Sequence, residues 1–292
     1  MKKILKSAYR FALIILVLNL VIYIVKDLVF REYYKYSDKF DSYLLADSHG
    51  WKLHDFTERI GVANFSYHSE SYSDIERKLT YLIHHEEVDT VFISVDDHTL
   101  SPYRDKSNND YKSVKYEYTQ GDFNLLDYAK FKLQYYVVIF DPNIRAIISH
   151  FFTEQGRKLI SSGKGERIGI KDVPWPQMNA EQRDVLVEER YLEQFPSERH
   201  SDVLEKSLVD IIETCEENDI TLIGIKFPLS GEYLDKLGER SYGADSVLAA
   251  HGIRVLDFSD SFRNNHNYFE DPDHLNPLGA NKLIDFLILM HF

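Results

Sequence analysis

The sequence predicts an α/β fold in which helices cover both faces of a parallel β-sheet. Short apolar runs with the composition of buried strands alternate along the chain with longer segments of helical periodicity. Polar residues follow several of these runs, at the end where parallel sheets bind their ligands. The chain has 292 residues, of which 44% are hydrophobic and 28% are charged, which is typical of one large globular domain.

The first element is an apolar run at 11–25, preceded by four positive charges and followed by a charged pair. A membrane span usually takes roughly 17 to 25 residues, and neighbouring apolar positions extend the run towards that length. The preceding charges predict a cytoplasmic N-terminus, with the rest of the chain outside the membrane. Because no small-x-small cleavage site follows, we expect residues 1–30 to be an uncleaved signal anchor; a cleaved signal peptide and a buried core helix are the alternatives. Charged and aromatic residues at 31–39 are predicted to form a juxtamembrane stalk.

Strands and helices alternate beyond residue 39, and we expect residues 40–292 to form one α/β domain. Apolar composition predicts five strands, at 43–46, 62–65, 88–95, 221–227 and 254–258. Helical patterns predict five helices, at 51–59, 73–85, 201–218, 233–250 and 277–290. The lone Cys215 occupies a predicted core position of the third helix, and a single cysteine forms no intramolecular disulfide.

One connection is far longer than usual, with about a hundred residues between the third strand and the helix that begins near residue 201. We expect the segment 102–198 to form a cap over the strand ends. It contains an apolar helical run at 125–152 and a polar stretch at 163–167. Its tyrosines either pack the cap onto the domain or together form a surface on which sugar rings stack; they are Tyr103, Tyr111, Tyr116 and Tyr118.

Two segments at opposite ends of this domain carry the residue types of nucleophilic catalysis. Ser48 follows the first predicted strand, and Asp271 precedes His274 by three positions just before the last helix. A serine between a strand and a helix lies near backbone N–H groups that stabilise a developing oxyanion. His274 could take the serine proton and return it to the leaving group, while Asp271 orients the imidazole. Asp273 is expected to point elsewhere, as a helix cap or a solvated carboxylate.

Four blocks of the sequence, in this order, resemble the GDSL or SGNH hydrolases. They are Asp47-Ser48, Asn64-Phe65-Ser66-Tyr67-His68-Ser69, Ser94-Val95-Asp96-Asp97 and Asp271-Pro272-Asp273-His274-Leu275-Asn276 with the following Gly279. The last block is the most specific, and the resemblance covers most of residues 40–290 except the long insertion. It implies a three-layer flavodoxin-like domain, a catalytic triad of Ser48, His274 and Asp271, and no metal or organic cofactor.

The resemblance also implies an oxyanion hole built by Ser48, Ser69 and Asp96. In the family a glycine stands at the position of Ser69 and an asparagine at that of Asp96. The backbone of Ser69 can still donate a hydrogen bond, whereas an ionised Asp96 only accepts. Two possibilities are therefore open: either Asp96 is protonated, or it binds another group, such as His98 or a substrate hydroxyl, and a different donor completes the hole.

Three histidines, His49, His68 and His98, follow the same strand ends. Each is a candidate substrate-binding residue or a structural hydrogen-bonding one. The segment 47–50 also resembles the opening Asp-x-His-Gly of metallophosphoesterases, in which the aspartate and the histidine bind the first of two metal ions. The other metal-binding motifs of those enzymes are absent from the sequence, so this reading is the weaker alternative.

The net charge of −13 argues against nucleic acid as a partner. The segments 69–72 and 96–101 resemble a branch of the superfamily associated with bacterial envelope polysaccharides. Together with the anchor, that resemblance implies an extracytoplasmic serine esterase or O-acyltransferase that moves acetyl groups on a cell-envelope glycan. The expected partners are that glycan, an acyl donor, the membrane and a membrane-embedded acyltransferase. A catalytically inactive SGNH-fold protein that binds a glycan or a protein partner is the alternative.

Overall fold

The computed structural model describes residues 2–117 and 173–289, together with isolated positions at 125–126, 129–130, 133 and 137. The chain divides into two compact units, which we call the first unit (residues 1–35 and 111–166) and the second unit (36–110 and 167–292). Most of the predicted apolar run at 125–152 lies outside the described residues. The polar stretch at 163–167 and Tyr118 lie wholly outside them.

The first unit begins with helix α1, Lys2–Val29. Its stretch Lys3–Leu28 is long and apolar enough to cross a membrane, a property that signal sequences share. The chain that follows α1 makes ring contacts with two of the tyrosines in the predicted cap. The rings of Phe30 and Tyr111 are 5.5 Å apart, and those of Tyr33 and Tyr116 are 6.2 Å apart. Packing therefore accounts for these two tyrosines.

The second unit contains a five-stranded, fully parallel sheet with the strand order β2-β1-β3-β4-β5. This order is the doubly wound, flavodoxin-like arrangement, so the predicted fold class is confirmed. All five strands lie within two residues of their predicted positions. They are β1 (Ser42–Leu45), β2 (Val62–Asn64), β3 (Thr90–Ser94), β4 (Thr221–Lys226) and β5 (Val255–Asp257).

Helices cover both faces of the sheet, as the buried strand residues require. In chain order the helices of the second unit are α2 (Ser48–Trp51), α3 (Tyr72–His85), α5 (Ala180–Gln194), α6 (Asp202–Glu217), α7 (Gly231–Leu237), α8 (Ala244–Ala250) and α9 (Pro277–Leu289), with a 3-10 helix at His54–Ile60. Helix α4 (Asp110–Glu117) lies almost wholly in the first unit. On one face, Leu44 and Phe92 lie near Ile284 and Leu287 of α9. Side chains alternate in direction along a strand, so the residues next to Leu44 and Phe92 in the sequence point to the opposite face of the sheet. That face is covered by α3 and α6, which pack against each other.

Two predicted helices differ from the structure. The segment predicted as one helix at 233–250 forms α7 and α8, because Gly238 and Gly243 between them have φ angles of 58° and 83°. Such left-handed angles are unfavourable for other residues and end a helix. The helix predicted at 51–59 is instead the single turn α2 followed by the 3-10 helix. Cys215 is buried on α6, as predicted.

Candidate active site

The three predicted triad residues lie together at the carboxyl end of β1. Ser48 is the first residue of α2, whose N-cap is Asp47; the Asp47 carboxylate accepts a hydrogen bond from the N–H of His49 at 3.0 Å. The Oγ of Ser48 is 2.8 Å from Nε2 of His274. Both carboxylate oxygens of Asp271 are 2.9 Å from Nδ1 of the same imidazole. The order serine, histidine, aspartate is the one that acyl transfer requires.

The local sequence holds Asp271 and His274 in this arrangement. The Oδ1 of Asp271 accepts backbone hydrogen bonds from Asp273 at 3.1 Å and from His274 at 2.8 Å, which closes a tight turn. Gly279 lets the first turn of α9 approach this loop, since a Cβ there would lie 2.2 Å from the carbonyl oxygen of Tyr268. The histidine is therefore fixed by backbone contacts as well as by the carboxylate.

Ser48 and Ser69 each offer a backbone N–H for an oxyanion. Across the described ranges, neither N–H has a hydrogen-bond partner. Ser69 has a φ of 62°, in the left-handed region that favours glycine, the residue that the family has at this position. Its loop is anchored by Lys78, which donates to the carbonyl oxygen of Phe65 at 2.7 Å, and by Asn109, which donates to that of His68 at 2.7 Å.

Asp96, the third residue of the expected oxyanion hole, is buried and has both oxygens occupied. Its Oδ1 accepts the backbone N–H of Phe227 at 2.7 Å, and its Oδ2 is 2.8 Å from Nδ1 of His49. Asp96 therefore binds another protein group, which is one of the possibilities that the sequence left open, and the partner is His49 in place of His98. A carboxylate engaged in this way accepts hydrogen bonds and supplies none to an oxyanion.

Of the two roles that the sequence left open for His49 and His98, the structure shows the hydrogen-bonding one. Each is 3% exposed. Nε2 of His49 is 3.3 Å from a carboxylate oxygen of Asp273, and Nε2 of His98 is 3.2 Å from one of Asp47. His68 is half-buried, with its ring 4.2 Å from that of Tyr67, and it stays a candidate for substrate contact.

Opposite charges compensate one another beneath the serine. Nη2 of Arg104 donates to Oδ2 of Asp47 at 2.5 Å, and both side chains are buried. Burial raises the pKa of Asp47, but His49 and Arg104 outweigh it and hold that pKa well below its usual value. Burial likewise lowers the pKa of His49, but Asp96 and Asp47 raise it well above the usual value. His49 is therefore an imidazolium, with both ring nitrogens donating.

Asp273 is neither a helix cap nor solvated, contrary to the expectation from sequence. It is buried, and its Oδ2 accepts from Arg190 Nε at 2.9 Å, Gln194 Nε2 at 2.8 Å and His49 Nε2 at 3.3 Å. Burial raises its pKa, but Arg190 and His274 lower it to well below the usual value. The carboxylate therefore stays ionised directly beneath the triad.

Arg190 and Gln194 are site residues that the sequence does not predict, because no helix is expected in their part of the cap. Both lie on the last two turns of α5. A signal for this helix is present in the sequence, since Asn179 and Gln182 form a reciprocal capping box at its start. Polar residues dominate the helix itself, which weakens the apolar periodicity by which helices are recognised.

A cavity of about 560 Å³ borders the imidazole of His274 and the carboxylate of Asp271. Helix α5 forms one side of it, with the apolar side chain of Leu186 and the carboxylate of Glu193. The cavity places space for a bound molecule beside the triad.

Asp47, His49 and His98 bring possible metal ligands within 4.8 Å of one another, as the metallophosphoesterase alternative requires. The donor set does not fit a metal ion. The guanidinium of Arg104 already binds the Asp47 carboxylate, and a doubly protonated His49 has no lone pair for a metal. This cluster is an ion-pair network among protein groups.

Comparisons with known proteins find similarity of architecture. No family model matches the sequence, and no curated protein matches it. A proposed acylhydrolase from Bacteroides fragilis NCTC 9343 has a TM-score of 0.40 and 8% identity, over 85% of each chain. A GDSL-like lipase from Bacteroides thetaiotaomicron VPI-5482 has a TM-score of 0.39 and 9% identity, over 87% of each chain.

Proposed function

We propose that this chain is a serine esterase or O-acyltransferase of the SGNH type that works through an acyl-Ser48 intermediate. The observation that carries the proposal is the position of His274, whose Nε2 is 2.8 Å from Ser48 Oγ and whose Nδ1 is 2.9 Å from Asp271. A serine hydroxyl is a weak nucleophile until a base within hydrogen-bond distance takes its proton. His274 is such a base, and Asp271 fixes its tautomer.

The geometry supports the following steps. Nε2 of His274 takes the hydroxyl proton while Ser48 Oγ attacks the carbonyl carbon of an ester. The oxygen of the tetrahedral intermediate accepts hydrogen bonds from the N–H groups of Ser48 and Ser69. The C–O bond to the alcohol then breaks, and His274 gives its proton to the departing oxygen. A water or a sugar hydroxyl attacks acyl-Ser48 with the same base, which releases the acid or a new ester.

We infer further that the acyl group is acetyl and that the substrate is a polysaccharide of the cell envelope. Two features support this choice. The stretch Lys3–Leu28 can hold the site beside a membrane, where a tethered enzyme meets nascent polymer at high effective concentration. The positive charges before it favour an extracytoplasmic site. A membrane-embedded acyltransferase that supplies the acetyl group is the corresponding partner.

One observation favours a second candidate, an inactive SGNH-fold protein that binds a glycan or a partner. Asp96 stands where the family has an oxyanion donor, and it donates nothing. The oxyanion hole then has two backbone donors, and loss of one such donor costs about 10²–10³ in rate in serine proteases.

A fluorophosphonate probe tests the proposed enzyme, with the full chain in detergent micelles and intact-mass detection. We expect one adduct, which Ser48→Ala abolishes and which forms at least about 100-fold more slowly in His274→Ala because the base is lost. Hydrolysis of aryl acetates should likewise be fastest in the wild-type chain, slower in His274→Ala and lost in Ser48→Ala. An oligosaccharide acceptor separates the two reactions, since transfer forms acetylated sugar at the expense of free acetate. A wild-type chain that neither labels faster than Ser48→Ala nor cleaves aryl acetates would be the binding protein.

A further inference from the structure

The two oxygens of Asp273 have very different surroundings. Oδ2 is close to four N–H donors, which are Arg190 Nε at 2.9 Å, Arg190 Nη2 at 2.8 Å, Gln194 Nε2 at 2.8 Å and His49 Nε2 at 3.3 Å. Within residues 2–117 and 173–289, Oδ1 makes no side-chain hydrogen bond and has one ion-pair contact, with Nδ1 of His274 at 3.3 Å. A buried carboxylate oxygen thus lies at ion-pair distance from the nitrogen that Asp271 binds through hydrogen bonds.

Solvent exposure separates the two carboxylates that face His274. The side chain of Asp271 is 39% exposed, whereas that of Asp273 is 1% exposed. Water and salt screen the charge of an exposed group far more than that of a buried one. At 3.3 Å, the charge of Asp273 therefore acts strongly on the imidazolium that forms when His274 takes a proton, although Asp271 is 0.4 Å closer.

The surroundings of Asp273 hold its charge and its direction. The Arg190 guanidinium contacts Oδ2 through two nitrogens, which fixes the position of that oxygen. The imidazolium of His49 lies on the same oxygen and is balanced on its other side by Asp96. Because these cations engage only Oδ2, Oδ1 is left to the histidine of the triad.

We propose that Asp273 is a positioning residue for His274, a second carboxylate whose buried charge stabilises the imidazolium formed during acyl transfer and which can accept Nδ1–H when Asp271 is removed. The proposal rests on the proposed function, in which His274 is the base. Asp271 holds the Nδ1–H in a hydrogen bond, and a small rotation of the ring would bring that hydrogen to Asp273 in a variant without the Asp271 carboxylate.

Ester hydrolysis by the variants Asp271→Asn, Asp273→Asn and the double variant tests this inference, with the full chain in detergent micelles. In a serine protease, the Asp→Asn change in the triad lowers kcat by about 10⁴. Here we expect Asp271→Asn to lower kcat by about 10–100-fold and the double variant to lower it by about 10⁴, with the loss in kcat and not in KM because both carboxylates act through His274. A loss of about 10⁴ in Asp271→Asn alone would overturn the inference, and that variant leaves the buried ion pairs intact. The exposed Asp285→Asn is the matched control and should not change kcat.

Proton NMR of the Nδ1–H of His274 gives a readout that needs no turnover. The resonance is assigned in the wild-type chain by its absence from His274→Ala. We expect the hydrogen-bonded, downfield signal to persist in Asp271→Asn and to disappear from the double variant. If the wild-type chain hydrolyses no ester but keeps this pattern, the proposed function fails and the role of Asp273 stands. Loss of the signal in Asp271→Asn, with an active wild-type chain, refutes the role of Asp273 alone.

Discussion

Replacement of Arg104 by methionine should remove the cation that compensates Asp47 while keeping most of the bulk of the side chain. Nη2 of Arg104 is 2.5 Å from Oδ2 of Asp47, and both groups are nearly inaccessible to water. His98, on the same oxygen, does not replace the charge, because burial lowers the pKa of its imidazole. Among the described residues, His49 remains as the cation that faces Asp47, with Nδ1 at 3.8 Å.

Removal of one partner from a buried ion pair costs about 3–5 kcal/mol, because the other charge is left in a medium of low polarity. His49 still compensates part of that charge, so we expect Arg104→Met to lower the free energy of unfolding by about 3 kcal/mol, the lower end of that range. At about 2–4 °C per kcal/mol for a domain of this size, the melting temperature should fall by about 6–12 °C. Since Asp47 also caps the helix turn that begins with Ser48, fluorophosphonate labelling should slow as well.

Thermal unfolding followed by circular dichroism measures this effect in the full chain. The matched control is Arg59→Met, since Arg59 pairs with Asp285 at 2.8 Å but the two side chains are 42% and 37% exposed. Exposed pairs contribute at most about 1 kcal/mol. The double variant Asp47→Asn with Arg104→Met should recover part of the loss, because no unpaired charge remains. If Arg104→Met melts within about 2 °C of Arg59→Met, the buried pair does not stabilise the site as described.

Two further predictions concern Ser69 and acid. Ser69→Gly should keep the labelling rate of the wild-type chain. Ser69→Val should slow labelling and lower the free energy of unfolding by about 1–2 kcal/mol, because a β-branched residue is strained at a φ of 62°. Equal stability of the two variants in denaturant titrations would contradict this expectation. The pKa values of Asp47 and Asp273 are depressed in the folded chain. Their contribution to stability is therefore fully present above the pKa of an unfolded aspartate, about 3.9, and is lost as the pH falls towards their pKa values in the folded chain. The melting temperature should therefore fall as pH drops below about 4, and less so in Asp47→Asn; an equally steep fall in that variant would exclude Asp47 as a cause.

The sheet and the triad could be predicted because their determinants are local. A fully buried parallel strand such as β1 is a short apolar run whatever else the chain does. Asp271 and His274 are three residues apart, and the turn between them is closed by the carboxylate itself. The division of the predicted helix at 233–250 was also visible, since the two glycines between α7 and α8 are common helix-ending residues.

The buried charges beneath the triad could not be predicted in the same way. In the sequence, Asp273 is one of several acids near His274, and its partners Arg190 and Gln194 are 83 and 79 residues away. Nothing in the local sequence distinguishes a carboxylate that will be buried from one that faces water. That difference depends on α5, whose polar sequence gave no prediction of a helix.

The same network accounts for a carboxylate at Asp96, where the sequence resemblance leads one to expect an asparagine. An unpaired carboxylate there would repel the oxyanion that forms at Ser48. The structure pairs Asp96 with the imidazolium of His49 at 2.8 Å, and both side chains are buried. His49 directly follows Ser48 in the chain, so the turn that presents the serine also places the compensating cation. Asp96 and His49 therefore form a pair of opposite charges, which weakens at the site the negative field that Asp96 alone would exert.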